Sequence, residues 1–207
     1  MAPSEIVRRL AEAYPEARCE LDFASRWQLL VATVLSAQST DQRVNSITPA
    51  LFARWPEPED VAGADLDELE RAMRAVGLQR SKARALKAAA QRVADLHGGR
   101  VPGDFEALLE LPGVGRKTAK VVLGVGFDRV EGIAVDTHVR RVARRLGLTR
   151  EQDPERVAAD LEALVPRSEW VRFSLRVVLH GRRTCTARRP RCESCVLRDL
   201  CPRVGVT

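Results

Sequence analysis

Residues 111–123 read LPGVGRKTAKVVL, and this stretch decides how the chain is to be read. Pro112 stops the helix marked by Phe105, Leu108 and Leu109. Gly113 and Gly115 allow a tight reversal and a close approach of backbone to another molecule. A second helix begins near Arg116 and continues through Ala119, Val122 and Val125. Its first N–H groups have no intrahelical partner, so they can receive a phosphate oxygen. Most such turns are only connectors; the basic start, Arg116 then Lys117, singles this one out. At Lys117 the positive end of the helix dipole disfavours an ammonium, and burial would act the same way. A neutral amine is a nucleophile. Without a partner group the plainer reading, a solvated lysine touching phosphate, holds.

The partner candidate lies just beyond, in IAVDTHVRR (133–141), where Asp136 precedes a helix. An aspartate there is an ordinary N-cap, but capping also anchors and orients a carboxylate, so the two roles are compatible. Outward in both directions nearly every segment has helical periodicity. Phe23, Trp27, Leu30, Val31, Val34 and Leu35 form one stripe, and Leu66, Leu69, Met73 and Val76 another, ended by Gly77. Ala83, Leu86, Ala90 and Val93 lead to Gly98 and Gly99; Val139, Val142, Ala143 and Leu146 lead to Gly147. Asp153-Pro154-Glu155 is a strong start, Pro166 a stop, and Ser168 a cap for a helix that is apolar nearly all round. No alternating segment is long enough for a strand. The expectation is an all-α fold of about ten helices.

Charge divides unevenly along this sequence. Residues 138–207 hold 16 Lys+Arg against 8 Asp+Glu, while residues 1–137 hold 18 against 20. A basic C-terminal third suits a surface that neutralises phosphates, or one that merely solvates. No apolar run approaches the roughly 20 residues of a membrane span, and the charged N-terminus is unlike a signal peptide. A cytoplasmic, reducing location is therefore expected.

That location bears on the cysteines. Cys185, Cys192, Cys195 and Cys201 lie within seventeen residues, in the order C-x6-C-x2-C-x5-C. Such clustering points to a metal centre rather than disulfides. Structural zinc sites pair two C-x2-C knuckles, and only Cys192–Cys195 has that form, so the spacing leans to a [4Fe–4S] cluster. Cys19 stands apart and reads as a small core residue. Between the first two ligands, Arg188, Arg189 and Arg191 would be held on a pinned loop, either gripping phosphates or offsetting cluster charge.

Hairpin, VDTH (135–138) and cysteine cluster in this order resemble the endonuclease III family, within the helix–hairpin–helix DNA glycosylase superfamily. LSAQSTD (35–41), GLQRSKA (77–83) and LHGRRTC (179–185) complete the match, which runs essentially the full length. The resemblance implies two helical domains with a DNA-binding cleft between them. A six-helix barrel module would span 19–130, with the helix–hairpin–helix at about 105–126. Residues 1–18 and 131–207 would form the iron–sulfur domain, its cluster loop at 185–201. It implies a bifunctional glycosylase and AP lyase of base-excision repair, acting as a monomer on double-stranded DNA that carries oxidised pyrimidines or abasic sites. Lys117 would attack C1′ and Asp136 assist it. Gln38 would fill the gap left by the flipped nucleotide, with Ser36 and Asp41 near the lesion pocket. Leu78, Gln79 and Arg80 would form a wedge loop, and His138 would contact DNA beside Gly113, Gly115 and Arg116. Two positions depart from many relatives: Gln79 replaces an aromatic, and Leu109 replaces an acidic residue. An adenine-mismatch glycosylase would lack Lys117. A non-catalytic DNA-binding module with a structural or redox-sensing cluster would keep everything except the need for the Lys117–Asp136 pair.

Overall fold

Local capping chemistry sets most helix starts. Ser25, Thr40, Asp65, Asp104, Asp136 and Asp153 each accept a backbone N–H at the head of a helix, taking up a donor otherwise left without a partner. In the computed structural model, which describes residues 3–206, twelve α-helices result. They are α1 (Pro3–Ala13), α2 (Arg26–Leu35), α3 (Asp41–Asn45), α4 (Thr48–Arg54), α5 (Pro58–Gly63) and α6 (Leu66–Ala72), then α7 (Gln79–His97), α8 (Phe105–Leu109), α9 (Arg116–Gly126), α10 (Thr137–Arg145), α11 (Pro154–Leu164) and α12 (Trp170–Arg183). No strand occurs among the described residues. The count exceeds the expected ten because α3, α4 and α5, of five to seven residues each, are too short to show a periodic stripe.

Three boundaries differ from the periodic reading. Ser25 caps α2, so Phe23 lies before the helix and is exposed rather than on the stripe. Met73 and Val76 are buried, yet α6 has already ended at Ala72. Ser168 caps nothing; it sits in a 3-10 turn, Arg167–Glu169, that runs directly into α12.

The chain falls into two compact units, Glu20–Arg129 and the described residues up to Cys19 together with those from Val130 onward. In the first, α2, α7 and α9 supply buried Leu29, Leu30, Leu86, Ala90, Val122 and Leu123. In the second, Ile6 and Leu10 of α1 pack with Val139, Val142, Leu161, Phe173 and Val177 from α10, α11 and α12. Burying such side chains stabilises by roughly 2 kcal/mol each. Arg9 fastens α1 to the C-terminal segment, meeting Asp199 at 2.5 Å and the Val196 carbonyl at 3.0 Å.

Candidate active site and metal centre

The two hairpin glycines serve different ends. Gly113 has φ +82°, and a Cβ there would lie 3.0 Å from the Ala85 Cβ, so both backbone and packing demand glycine. Gly115 is the extended N-cap of α9 (φ −96°, ψ 175°), and an added Cβ would meet nothing within 4 Å. Open space therefore lies beside the first N–H groups of α9. Arg116 stacks over Phe105 at 5.1 Å. Lys117 is exposed at the start of α9.

Asp136 opens α10 as the expected N-cap. Its Oδ1 accepts the N–H groups of His138 and Val139, both at 2.8 Å. Both capping bonds end on Oδ1, so capping consumes one oxygen and leaves Oδ2 out of the cap. Arg141 lies 3.2 Å from His138 Nδ1. A guanidinium can only donate, so in this contact Nδ1 is the acceptor. Burial is the leading influence that holds His138 below its ordinary pKa, and Arg141 adds to it, so the ring is neutral at pH 7. Arg141 also donates to the carbonyls of Gly181 at 2.8 Å and Cys185 at 3.1 Å, linking α10 to the first cysteine.

The four C-terminal cysteines line one open cavity of about 400 Å³, together with Arg145 and His180. Among the described residues no three His, Cys, Asp or Glu converge as ligands of one ion would. A cubane accepts one thiolate at each iron and spreads its ligands apart, so this donor set fits a cluster better than a zinc ion. Burial pushes the Cys195 and Cys201 thiols up, so their thiolate forms need a cationic partner such as iron. The N–H groups of Leu197 and Arg203 donate to Cys195 Sγ and Cys201 Sγ, each at 3.4 Å.

Two cavity residues have no role assigned from the sequence, although His180 lies within LHGRRTC. Arg145, 9% exposed, puts one guanidinium nitrogen 3.4 Å from Cys185 Sγ and donates to the carbonyls of Thr186 and Ala187. His180, 2% exposed and lowered to about 4 by burial, lies 3.7 Å from Cys195 Sγ and 3.1 Å from the Tyr14 hydroxyl. Arg145 shares its helix with Arg140, Arg141 and Arg144, and nothing local marks it as the inward one. Arg188, Arg189 and Arg191 are exposed, while Arg145 is buried and faces the Cys185 sulfur. The loop carrying them is pinned by Thr186 Oγ1 donating to Arg189 O at 2.7 Å and by Arg191 N–H donating to Thr184 O at 2.9 Å.

The remaining candidates sit on two neighbouring loops. Ser36 ends α2, its hydroxyl donating to Thr33 O at 2.8 Å. Gln38 is exposed at φ 56°, and Asp41 is the first residue of α3, whose cap is Thr40. Leu78 is 53% exposed at φ 61°, Gln79 begins α7, and Arg80 reaches Glu70 at 3.6 Å. A Cβ on Gly77 would be 3.8 Å from the Gln38 carbonyl, so the loops touch. Leu109 is half-buried next to the exposed Glu110, which pairs with Arg92 at 3.0 Å.

Comparison with known proteins agrees with this geometry. Residues 31–167 match the HhH-GPD superfamily of base excision DNA repair proteins, and residues 185–201 match the iron-sulfur binding domain of endonuclease III. Endonuclease III of Synechocystis is 47% identical over 96% of this chain and 91% of its own. That of Escherichia coli K12 is 41% identical over 95% and 93%. An endonuclease III trapped as a covalent intermediate with DNA superposes with a TM-score of 0.93 at 41% identity, covering 98% of this chain and 97% of that one. A cysteine-lined cavity, a glycine hairpin and near-complete coverage all coincide, and the chain belongs to the endonuclease III family of the HhH-GPD superfamily.

Proposed function

We propose that Lys117 is the nucleophile and Asp136 its proton acceptor in the excision of oxidised pyrimidines of the thymine glycol type. Members of this family are base-excision repair enzymes, and this chain is a DNA glycosylase and AP lyase that binds DNA and carries a [4Fe–4S] cluster. The observation that carries the residue assignment is the exposed Lys117 amine at the open start of α9. Support for a covalent route comes from the relative trapped as a covalent intermediate with DNA.

In the proposed reaction the Lys117 amine, having given a proton to Asp136, bonds to C1′ of the flipped nucleotide. The C1′–N bond breaks, and the base leaves with that electron pair. The free Oδ2 of Asp136 accepts the lysine proton and passes it to O4′ as the C1′–O4′ bond breaks, so the regenerated carboxylate faces the protonated imine. Ring opening gives an imine between Lys117 and C1′. Loss of a C2′ proton then expels the 3′ phosphate, nicking the strand. The hairpin N–H groups beside Gly113 and Gly115 and the side chain of Arg116 hold phosphates, and His138 donates from Nε2. Gln38, Leu78, Gln79 and Arg80 occupy the space vacated in the duplex, and Ser36 and Asp41 meet the lesion. Cys185, Cys192, Cys195 and Cys201 would hold the cluster, which would pin both ends of the loop that carries Arg188, Arg189 and Arg191. The protein acts as a monomer.

Borohydride trapping on duplexes with thymine glycol or an abasic site tests the assignment. Wild type should give a covalent adduct and Lys117→Ala none. Asp136→Asn keeps the capping oxygen, so the fold should persist while adduct formation slows on the order of 10²–10⁴-fold. An adduct from Lys117→Ala, or an unimpaired Asp136→Asn, would refute these two roles. A folded wild type that binds DNA but never cuts it would favour a binding module.

A further inference from the structure

Gln38 and Leu78 are two of only four non-glycine residues with positive φ among the described residues, at 56° and 61°. Side chains bearing a Cβ adopt that region only when their surroundings hold them there. Leu78 is also a large apolar side chain left half in solvent at 53% exposure, which is unusual for a loop with no partner of its own. Both residues sit at the tips of adjoining loops, so what fixes one fixes the other.

The common support is a lysine. Lys82 lies in the first turn of α7 and is only 5% exposed. Its Nζ donates to Leu35 O at 2.8 Å, a carbonyl of the last turn of α2 that no backbone N–H reaches among the described residues. It also lies 3.4 Å from Ser39 Oγ, and that oxygen accepts the Gly77 N–H at 3.3 Å. One ammonium thus joins the end of α2, the loop 36–40 and the turn 77–78. All its partners are neutral oxygens, and burial pushes its pKa below the ordinary lysine value. A buried cation without a counter-ion is costly, and a well-packed apolar side chain would serve a purely structural purpose better.

We propose that Lys82 is the positioning residue of the lesion-probing loops, clasping α2 to the 77–78 turn so that Gln38 and Leu78 are presented in their left-handed conformations. The inference rests on the reading that these two loops enter the DNA at the damaged nucleotide. Lys82 touches no reacting atom; it acts through the loops it joins. Losing it should leave phosphate contacts intact and impair only the insertion step.

The test uses the full holoprotein, with Lys82→Met, Ser39→Ala, Leu78→Ala and the Lys82→Met/Leu78→Ala pair. A duplex with 2-aminopurine opposite a tetrahydrofuran abasic analogue reports unstacking, and single-turnover cleavage of a natural abasic site reports chemistry. Lys82→Met should bind undamaged duplex within about twofold of wild type, lose the 2-aminopurine signal, and slow cleavage on the order of 10²-fold. Ser39→Ala should move both readouts in the same direction by less. If Lys82 works through the loops, the double variant is no slower than the worse single one. Full fluorescence and rate in Lys82→Met, or losses that multiply in the double variant, overturn the proposal. Should Lys82→Met fail to fold, the cycle between Ser39→Ala and Leu78→Ala decides on the same criterion. A wild type that unstacks the base yet never cleaves would sink the lyase assignment while leaving the clasp to be judged by fluorescence.

Discussion

Gly113 and Gly115 stand two residues apart, and the reasons for glycine at each can be separated by substitution. Gly113→Ala forces a Cβ into a left-handed backbone 3.0 Å from Ala85, and should cost at least about 1–2 kcal/mol of stability. Gly115→Ser should leave stability unchanged or raise it by a few tenths of a kcal/mol, because serine is at least as good an N-cap as glycine. The same hydroxyl would fill the open space and occupy the N–H groups meant for a phosphate, so DNA affinity should fall. Thermal melts with fluorescence-anisotropy binding check both; a Gly115→Ser protein with undiminished affinity would remove the hairpin from the phosphate contacts. In the sequence the glycines look alike, since the difference depends on Ala85 from another helix. Asp136 was legible as a cap, but that only one oxygen caps could come only from coordinates. Nothing local singles out Lys82, because its partners lie 47 and 43 residues away.

Among the elements, the loop between Cys185 and Cys192 was the most legible and is the easiest to test. Arg145 and Thr186 fix its backbone while Arg188 and Arg189 project outward. Replacing both with alanine should lower the slope of log affinity against log salt by roughly 1–2, at about 0.9 per phosphate lost, with Tm unchanged. An unaltered slope would leave these arginines as solubilising groups. Helix identity was read well from periodicity and caps, whereas boundaries were not. Phe23, Met73 and Val76 are apolar and in register with their helices, yet lie beyond them. Burial alone selects an apolar residue at Met73 and Val76, and periodicity cannot tell a buried coil from another helical turn. Ser168 failed as a cap because Pro166 leads into a 3-10 turn whose geometry passes straight into α12.

For the whole molecule, the division into two units predicts how the protein responds to loss of iron. The unit that holds the four clustered cysteines has α1, α10, α11 and α12 around one core that includes Leu197, with Cys185, Cys195 and Cys201 packed against it. Because metal affinity of such sites is folding free energy, chelation should raise amide exchange about tenfold or more over α1, α10 and residues 180–204. Helices α2, α7 and α9, with a core of their own, should keep their protection. Exchange rising equally across Glu20–Arg129 would show that the units do not hold separately. The same division bears on the order of events at the ribosome. Glu20–Arg129 is continuous and can close its core as soon as it emerges, but Ile6 and Leu10 are made before it and find their partners Val139, Phe173 and Leu197 only after it. For most of synthesis α1 is an apolar face awaiting the far end of the chain. A nascent protein stalled before Val139 would therefore carry a finished hairpin unit and an exposed N-terminal helix, recognisable to chaperones as incomplete until α10 and α12 arrive.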